Sequence, residues 1–427
     1  MATCFLKQKT SAFTWKRYEN FTEGLIPRQE PGVEQADQPE NLSVARENLA
    51  ATHVGNYALF GGGHNFSGHY YNVVDAYNTS LEKSTPTPLS QARSFLAATH
   101  VGNYALFAGG YNNDYVEFSN VVDAYDISLN RITPTPNPTP LIVKRRRLAA
   151  THVGNYALFG GGELIGTGTS QYMSTVDAYD LSLNRTTAIH LSIGRKNLAA
   201  TNVGNYALFG GGDSGNVRDS NTVDAYDSLL NKVNTINLSR NKEHPVATHV
   251  GNYALFAGQH YYSGDVDDPR SPTIDAYDTP LNRTTIDLPE GYKDYGAATH
   301  IGDYALFAGG SSDNGRTLDT VYVYNSSLER SSTQNLDIGK AYLAATHVGD
   351  YALFAGGYTK NGDGSDYNTS TVDAYQENQE VCDFPVIPNS IYKFEPYGSE
   401  TTASEFSKVT VNYPVNGYAK YMSTTLN

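Results

Sequence analysis

The feature that most constrains this chain is a phrase it repeats seven times. It first reads Leu-Ala-Ala-Thr-His-Val-Gly-Asn-Tyr-Ala-Leu-Phe-Gly-Gly-Gly over 49–63 and returns with few changes. Its threonine falls at Thr52, Thr99, Thr151, Thr201, Thr248, Thr299 and Thr346, so the spacings are 47, 52, 50, 47, 51 and 47 residues. Units of this kind bury their apolar faces only against one another, so the period dictates the architecture. Helical-hairpin repeats are shorter, and a period near fifty suits a four-stranded propeller blade. The expected fold is all-β: a seven-bladed propeller over 41–381 with non-repeating extensions at 1–40 and 382–427.

One blade can be read strand by strand. In the third repeat Leu148-Ala-Ala-Thr-His-Val153 is the innermost strand A, Gly154-Asn155 is a hairpin turn, and Tyr156-Ala-Leu-Phe159 is strand B. The glycines 160–162 end strand B, a polar loop follows, and Thr175-Val-Asp-Ala-Tyr179 and Arg185-Thr-Thr-Ala-Ile-His-Leu191 read as strands C and D. Small alanines in strand A fit blades crowding a common axis. The phrase Asn41-Leu-Ser-Val-Ala-Arg46 matches Leu89-Ser-Gln-Ala-Arg93 and Leu191-Ser-Ile-Gly-Arg195, yet precedes the first repeat. It predicts that the N-terminal segment supplies the outer strand of blade seven, the alternative being closure by 381–387.

The glycine doublet after an apolar strand, followed by Tyr-Asp on the next, resembles the kelch repeat over 41–375. The tryptophan usual in kelch repeats is replaced by threonine at Thr133, Thr187 and Thr285, the single tryptophan being Trp15. The resemblance implies a binding platform; some members of the class are sialic-acid mutarotases or copper oxidases of sugars. The oxidase chemistry needs a cysteine within the propeller, whereas Cys4 and Cys382 both lie outside the repeats. Phe13-Thr-Trp-Lys-Arg-Tyr18 looks like short segments of phage and prophage tail-associated proteins, which implies a place in a virion, the alternative being the cytoplasm.

Thirty Lys+Arg against 44 Asp+Glu give a net charge of −14, which argues against a nucleic-acid partner. No apolar run resembles a secretory signal or a membrane span. No zinc, nucleotide or nucleophile motif is present, and no cofactor or metal is expected. Asp265, Asp267 and Asp268, and the stretch 361–366, have oxygen density without the full ligand spacing of a calcium loop.

Two patterns point to binding. The B–C loops, at 64–73, 111–121, 163–175, 213–222, 260–273, 311–320 and 358–371, share almost nothing while the scaffold repeats. They carry Tyr70, Tyr71, Tyr111, Tyr115, Tyr172, Arg218, Tyr261, Tyr262, Arg316, Tyr358 and Tyr367 among Asn, Ser and Gly, a mixture suited to recognition of a glycan, an acidic ligand or a protein. Six residues before each repeat threonine stands a cation: Arg46, Arg93, Arg145, Arg195, Lys242, Lys293 and Lys340. These either ring the channel mouth and converge on an anionic ligand, or each pairs with a nearby aspartate or carbonyl in its own blade. His53, His100, His152, His249, His300 and His347 on strand A, with Asp75, Asp123, Asp177, Asp224, Asp275 and Asp373 on strand C, recur too often for an active site. They read as buried hydrogen-bonding pairs.

Overall fold

The computed structural model describes residues 14–15, 32–377 and 396–397, apart from 113–116, 133–137, 166–169, 216–219, 259–271, 289–293, 313–314 and 361–364. Seven four-stranded antiparallel sheets follow one another along the chain. In blade three the strands are Ala149–Val153, Tyr156–Gly160, Val176–Tyr179 and Arg185–Thr187, from the axis outward. The A–B register closes on Val153↔Tyr156 around a turn whose Gly154 has φ of 52°. Strand B is buried on both faces, with Ala157, Leu158 and Phe159 all inaccessible, which is why it runs Ala-Leu-Phe without polar alternation.

Blades are locked to one another in two repeated ways. The strand-C tyrosine packs edge-on against the strand-B phenylalanine, as Phe60 and Tyr77 do at 6.0 Å. Its hydroxyl donates to a carbonyl just before the blade, Tyr77 to Glu40 at 2.7 Å and Tyr179 to Thr139 at 2.8 Å. The second lock is a glycine pair after strand B. Gly63 N–H donates to the Arg93 carbonyl of the next connector at 3.0 Å, and a Cβ on Gly62 (φ 73°) would come within 2.6 Å of that oxygen. Only glycine permits the approach.

The inner strands of neighbouring blades pack in sequence, and Ala344–Val348 of blade seven returns to Ala50–Val54 of blade one. Blade seven takes its outer strand from the N-terminal side: Val33–Gln35 pairs with Val372–Glu377 in the register Val33↔Glu377 and Gln35↔Tyr375. The closing strand thus precedes the 41–46 phrase, and the compact unit runs Val33–Glu377. The alternative closing segment 381–387 lies outside the described residues. A second unit comprises 1–32 and 378–427, within which Thr14–Trp15 pairs with Pro396–Tyr397. No helix among the described residues is long and apolar enough to cross a membrane.

Val33 is 3% exposed, so deleting 33–35 forfeits about 2 kcal/mol of apolar burial and bares the edge of strand C. A chain beginning after residue 35 is expected to melt several degrees lower than the full chain and to aggregate in proportion to its concentration, as scattering during a thermal scan would show.

Candidate functional site at the channel mouth

The repeated cations do not ring an open mouth. Arg46, Arg93, Arg145, Arg195, Lys242 and Lys340 are 0–1% exposed, and each is paired with the strand-C aspartate of its own blade. Arg145 Nη2 lies 2.8 Å from Asp177 and donates to the Phe159 carbonyl at 3.0 Å. The same three-point arrangement joins Arg46 to Asp75 and Phe60, and Arg93 to Asp123 and Phe107. Lys242 reaches Asp275 at 3.5 Å and donates to the Thr273 hydroxyl at 2.7 Å. Lys293 lies outside the described residues. Of the two readings of this ring, pairing within the blade is the one the structure shows: an unpaired buried guanidinium is too costly, and the carboxylate sits within reach.

The histidine–aspartate pairing is corrected for the same reason. Asp75 stands opposite Phe60, whereas His53 stands opposite Ala58, two residues along the blade. The aspartates are thereby aimed at the cations and the histidines at one another. His53 lies 4.2 Å from both His100 and His347, His100 lies 4.1 Å from His152, and His300 lies 3.8 and 4.3 Å from His249 and His347, centroid to centroid. Six imidazoles therefore encircle the axis, with Asn202 in the seventh place. Burial first, then the neighbouring imidazoles, holds His53 down to about 3, His100 to about 2, and His249 and His347 to about 4.

A different ring forms the mouth, two residues after the cations: Asn48, Phe95, Arg147, Asn197, His244, Tyr295 and Tyr342. All seven line one cavity of about 460 Å³ on the axis, floored by leucines such as Leu49, Leu148 and Leu343. Six have left-handed backbones, with φ of 53° at Asn48, 55° at Phe95, 57° at Arg147, 53° at Asn197, 67° at Tyr295 and 54° at Tyr342. His244, which precedes Pro245, is the seventh, and a following proline steers a residue towards extended backbone. Bulky residues in this region are strained, and such strain persists where the surroundings over-determine it. The surroundings here are a chain of backbone hydrogen bonds running from blade to blade. Arg147 N–H donates to Phe95 at 2.9 Å, Phe95 to Asn48 at 3.0 Å, Asn48 to Tyr342 at 3.1 Å and Tyr342 to Tyr295 at 2.8 Å.

Among the described residues, five of the variable loops are fastened beside this ring at their first residue. Glu47 bridges to His64, Ser94 to Tyr111, Arg146 to Glu163, Lys196 to Asp213 and Ala341 to Tyr358. The result is a mouth with two unlike sides. On one, Glu163, 1% exposed, holds Arg146 at 3.0 Å, Arg147 at 3.4 Å and Lys196 at 3.1 Å, and Lys196 also meets Asp213 at 3.5 Å. Burial pushes the Glu163 carboxyl up, but its bond to Lys196 and the charges of Lys196, Arg147 and Arg146 outweigh that and hold it below its ordinary value. Arg146 is braced over Tyr111 at 4.8 Å and Phe118 at 5.4 Å, and Lys196 lies over Tyr172 at 5.3 Å. On the other side His244 meets Tyr295 at 4.3 Å and Tyr295 stacks on Tyr342 at 4.2 Å. Between the two, Glu47 is buried beside His64 at 3.6 Å, and burial raises its carboxyl to about 7.

Of the loop tyrosines expected to bind, Tyr111 and Tyr172 lie under the cations Arg146 and Lys196, and Tyr358 lies 5.7 Å from Tyr342, outside the lining of the cavity. Tyr70 is 8% exposed and stacks on His64, Tyr71 accepts from Asn65 at 2.8 Å, and Tyr367 is 40% exposed on a hairpin. Arg316 is exposed, its N–H donating to the Ser312 hydroxyl at 3.2 Å. Tyr115, Arg218, Tyr261 and Tyr262 lie outside the described residues, as do Asp265, Asp267, Asp268 and 361–364. Among the described residues no three His, Cys, Asp or Glu side chains are grouped to hold a metal.

The chain matches no known protein-family signature, and no curated protein resembles it in sequence. Solved structures share its fold. One described as the structure of YjhT superposes with a TM-score of 0.50 at 12% identity, covering 69% of this chain and 98% of that one. The fold is thus a seven-bladed β-propeller. That architecture hosts many functions, so the activity has to be read from the site.

Proposed function

We propose that the chain is a recognition protein that takes an acidic sugar in the mouth of its central channel. The observation that carries this reading is the mouth itself: seven side chains of five kinds on a strained, hydrogen-bonded ring, cationic on one side and aromatic on the other. Arg147 and Lys196 supply charge-assisted donors for a carboxylate. Tyr295 and Tyr342 supply ring carbons and hydroxyls for the body of a sugar. The resemblance at 13–18 supports placing this binding function in a phage tail, with the non-repeating unit as the attachment.

Glycine tests the site at little cost to the backbone, because a left-handed position relaxes when its side chain is removed, and Glu163 keeps Arg146 and Lys196 as partners. Arg147→Gly is expected to fold at least as stably as the parent and to weaken binding of an acidic sugar by about 10- to 100-fold, the worth of a charge-assisted hydrogen bond. Neutral sugars should be unaffected. Titration calorimetry against matched acidic and neutral monosaccharides reads this, and equal affinity of parent and variant for the acid would remove the mouth from consideration.

A second reading, a sugar-active enzyme, is favoured by Glu47. A buried carboxyl held at about 7 beside His64 is matched to proton transfer near neutral pH. Anomer interconversion followed by NMR, in the parent and in Glu47→Gln, separates turnover from binding.

A further inference from the structure

We infer that the ligand is a chain of sugars, not a single one, and that an aromatic track leads from the cavity to the outer rim to hold its second and third residues. This rests on the acidic-sugar reading of the mouth. The track continues the aromatic side of the cavity. Tyr295 stacks on Tyr342 at 4.2 Å, Tyr342 lies 5.7 Å from Tyr358, and Tyr358 lies 5.7 Å, edge-on, from Phe66. Each step is on the scale of one pyranose ring.

The four residues come from separate places in the sequence: the approaches to blades six and seven, the blade-seven loop and the blade-one loop. Nothing in the repeat requires aromatic side chains at these positions, since the equivalents of Tyr295 and Tyr342 elsewhere include Asn48 and Asn197. Burial falls outward. Tyr295, Tyr342 and Tyr358 are half-buried, whereas Phe66 is 51% exposed at the end of the line. An aromatic ring that only filled the core would resemble Tyr70, 8% exposed in the same loop. Phe66 is nevertheless positioned: its N–H donates to the Asn368 side-chain oxygen of blade seven at 2.8 Å. A held, exposed ring continuous with a cavity is a platform, and the cations at the opposite side of the mouth give the occupant a direction. Its acidic terminal residue enters the cavity and the neutral residues lie outward over Tyr358 and Phe66.

The test is a length series: glucuronic acid alone, and glucuronic acid linked to one and to two neutral hexoses, titrated into the full chain. Affinity is expected to rise about fivefold with each added hexose, the worth of one ring contact. Phe66→Ala and Tyr358→Ala should flatten that dependence, and Phe66→Ala should do so while leaving the affinity for glucuronic acid itself unchanged. Phe66→Ala removes an exposed side chain, so loss of fold does not confound it. Equal affinity across the series in the parent, or a length dependence that survives both substitutions, overturns the track while leaving the mouth intact. Failure of every member of the series to bind overturns the acidic-sugar reading and the track with it.

Discussion

Arg145→Ala is expected to cost about 3–5 kcal/mol of stability, the penalty for leaving one member of a buried ion pair alone. Asp177 is fully buried, and its partner Arg145 Nη2 lies 2.8 Å away. Without the guanidinium, that carboxylate keeps the Ile142 N–H at 3.1 Å and a more distant contact with Arg185 at 3.8 Å. The Phe159 carbonyl loses its side-chain donor as well. Urea unfolding gives the loss directly. Replacing both partners, with Arg145→Met and Asp177→Leu, should recover most of it, because a well-packed apolar pair is often no worse than a buried salt bridge. The fraction of Arg145→Ala that remains folded should bind in the mouth as the parent does, since the guanidinium faces the blade interior. A variant as stable as the parent that had lost an anionic ligand would instead return the cation ring to the mouth.

Much of the fold was legible in the sequence because the constraint is repetition. A period near fifty residues, Gly-Asn turns and an Ala-rich first strand leave little but a closed ring of blades, and the unmatched phrase before the first repeat located closure on the N-terminal side. The closing residues Val33–Gln35 were not legible, because three residues on an outer edge carry no motif. The site was half legible. A ring at the start of strand A is legible as a repeated position, and what is constant there is Arg or Lys in every blade. Constancy marked scaffold: in six blades an arginine or lysine recurs with the aspartate it pairs with, whereas blade six carries Tyr322 in the aspartate's place. The informative signal was variation inside the constant phrase, at Asn48, Phe95, Arg147, Asn197, His244, Tyr295 and Tyr342, two residues later. The pairing of histidine with aspartate failed on register, since both lie in the same blade but at heights that differ by two residues.

The histidine ring leads to the second expected result: the propeller loses stability steeply as pH falls below about 6.5, the ordinary value of an unfolded histidine. The sign follows from which state binds the proton. Folded, His53, His100, His249 and His347 are held to between about 2 and about 4, and His300 is lowered further, so these five stay neutral at pH 5; His152 is lowered in the same direction. Unfolded, the same six are protonated there. Stability from this source is complete above the unfolded value and drains away as pH falls towards the folded values. Each site contributes a slope of about 1.4 kcal/mol per pH unit, so five acting together approach about 7 kcal/mol per pH unit once the unfolded sites are filled, and His152 adds in the same direction. His244, held to about 3 by burial and by Arg147 and Lys196, adds to that slope, whereas Glu47, raised to about 7, opposes it. Against a total stability of about 5–15 kcal/mol, such a slope places acid unfolding between about pH 5 and pH 6. The chain already supplies the control, since Asn202 occupies the histidine position in blade four. Converting a second place, with His100→Asn, should leave stability at pH 8 close to that of the parent while removing about one proton from the uptake on unfolding at pH 5. Urea midpoints measured from pH 8 to pH 4.5 read both quantities. A parent whose midpoint is flat from pH 7 to pH 5 would mean that the ring admits protons in the folded state, which six imidazoles spaced 3.8–4.3 Å apart around one channel should forbid.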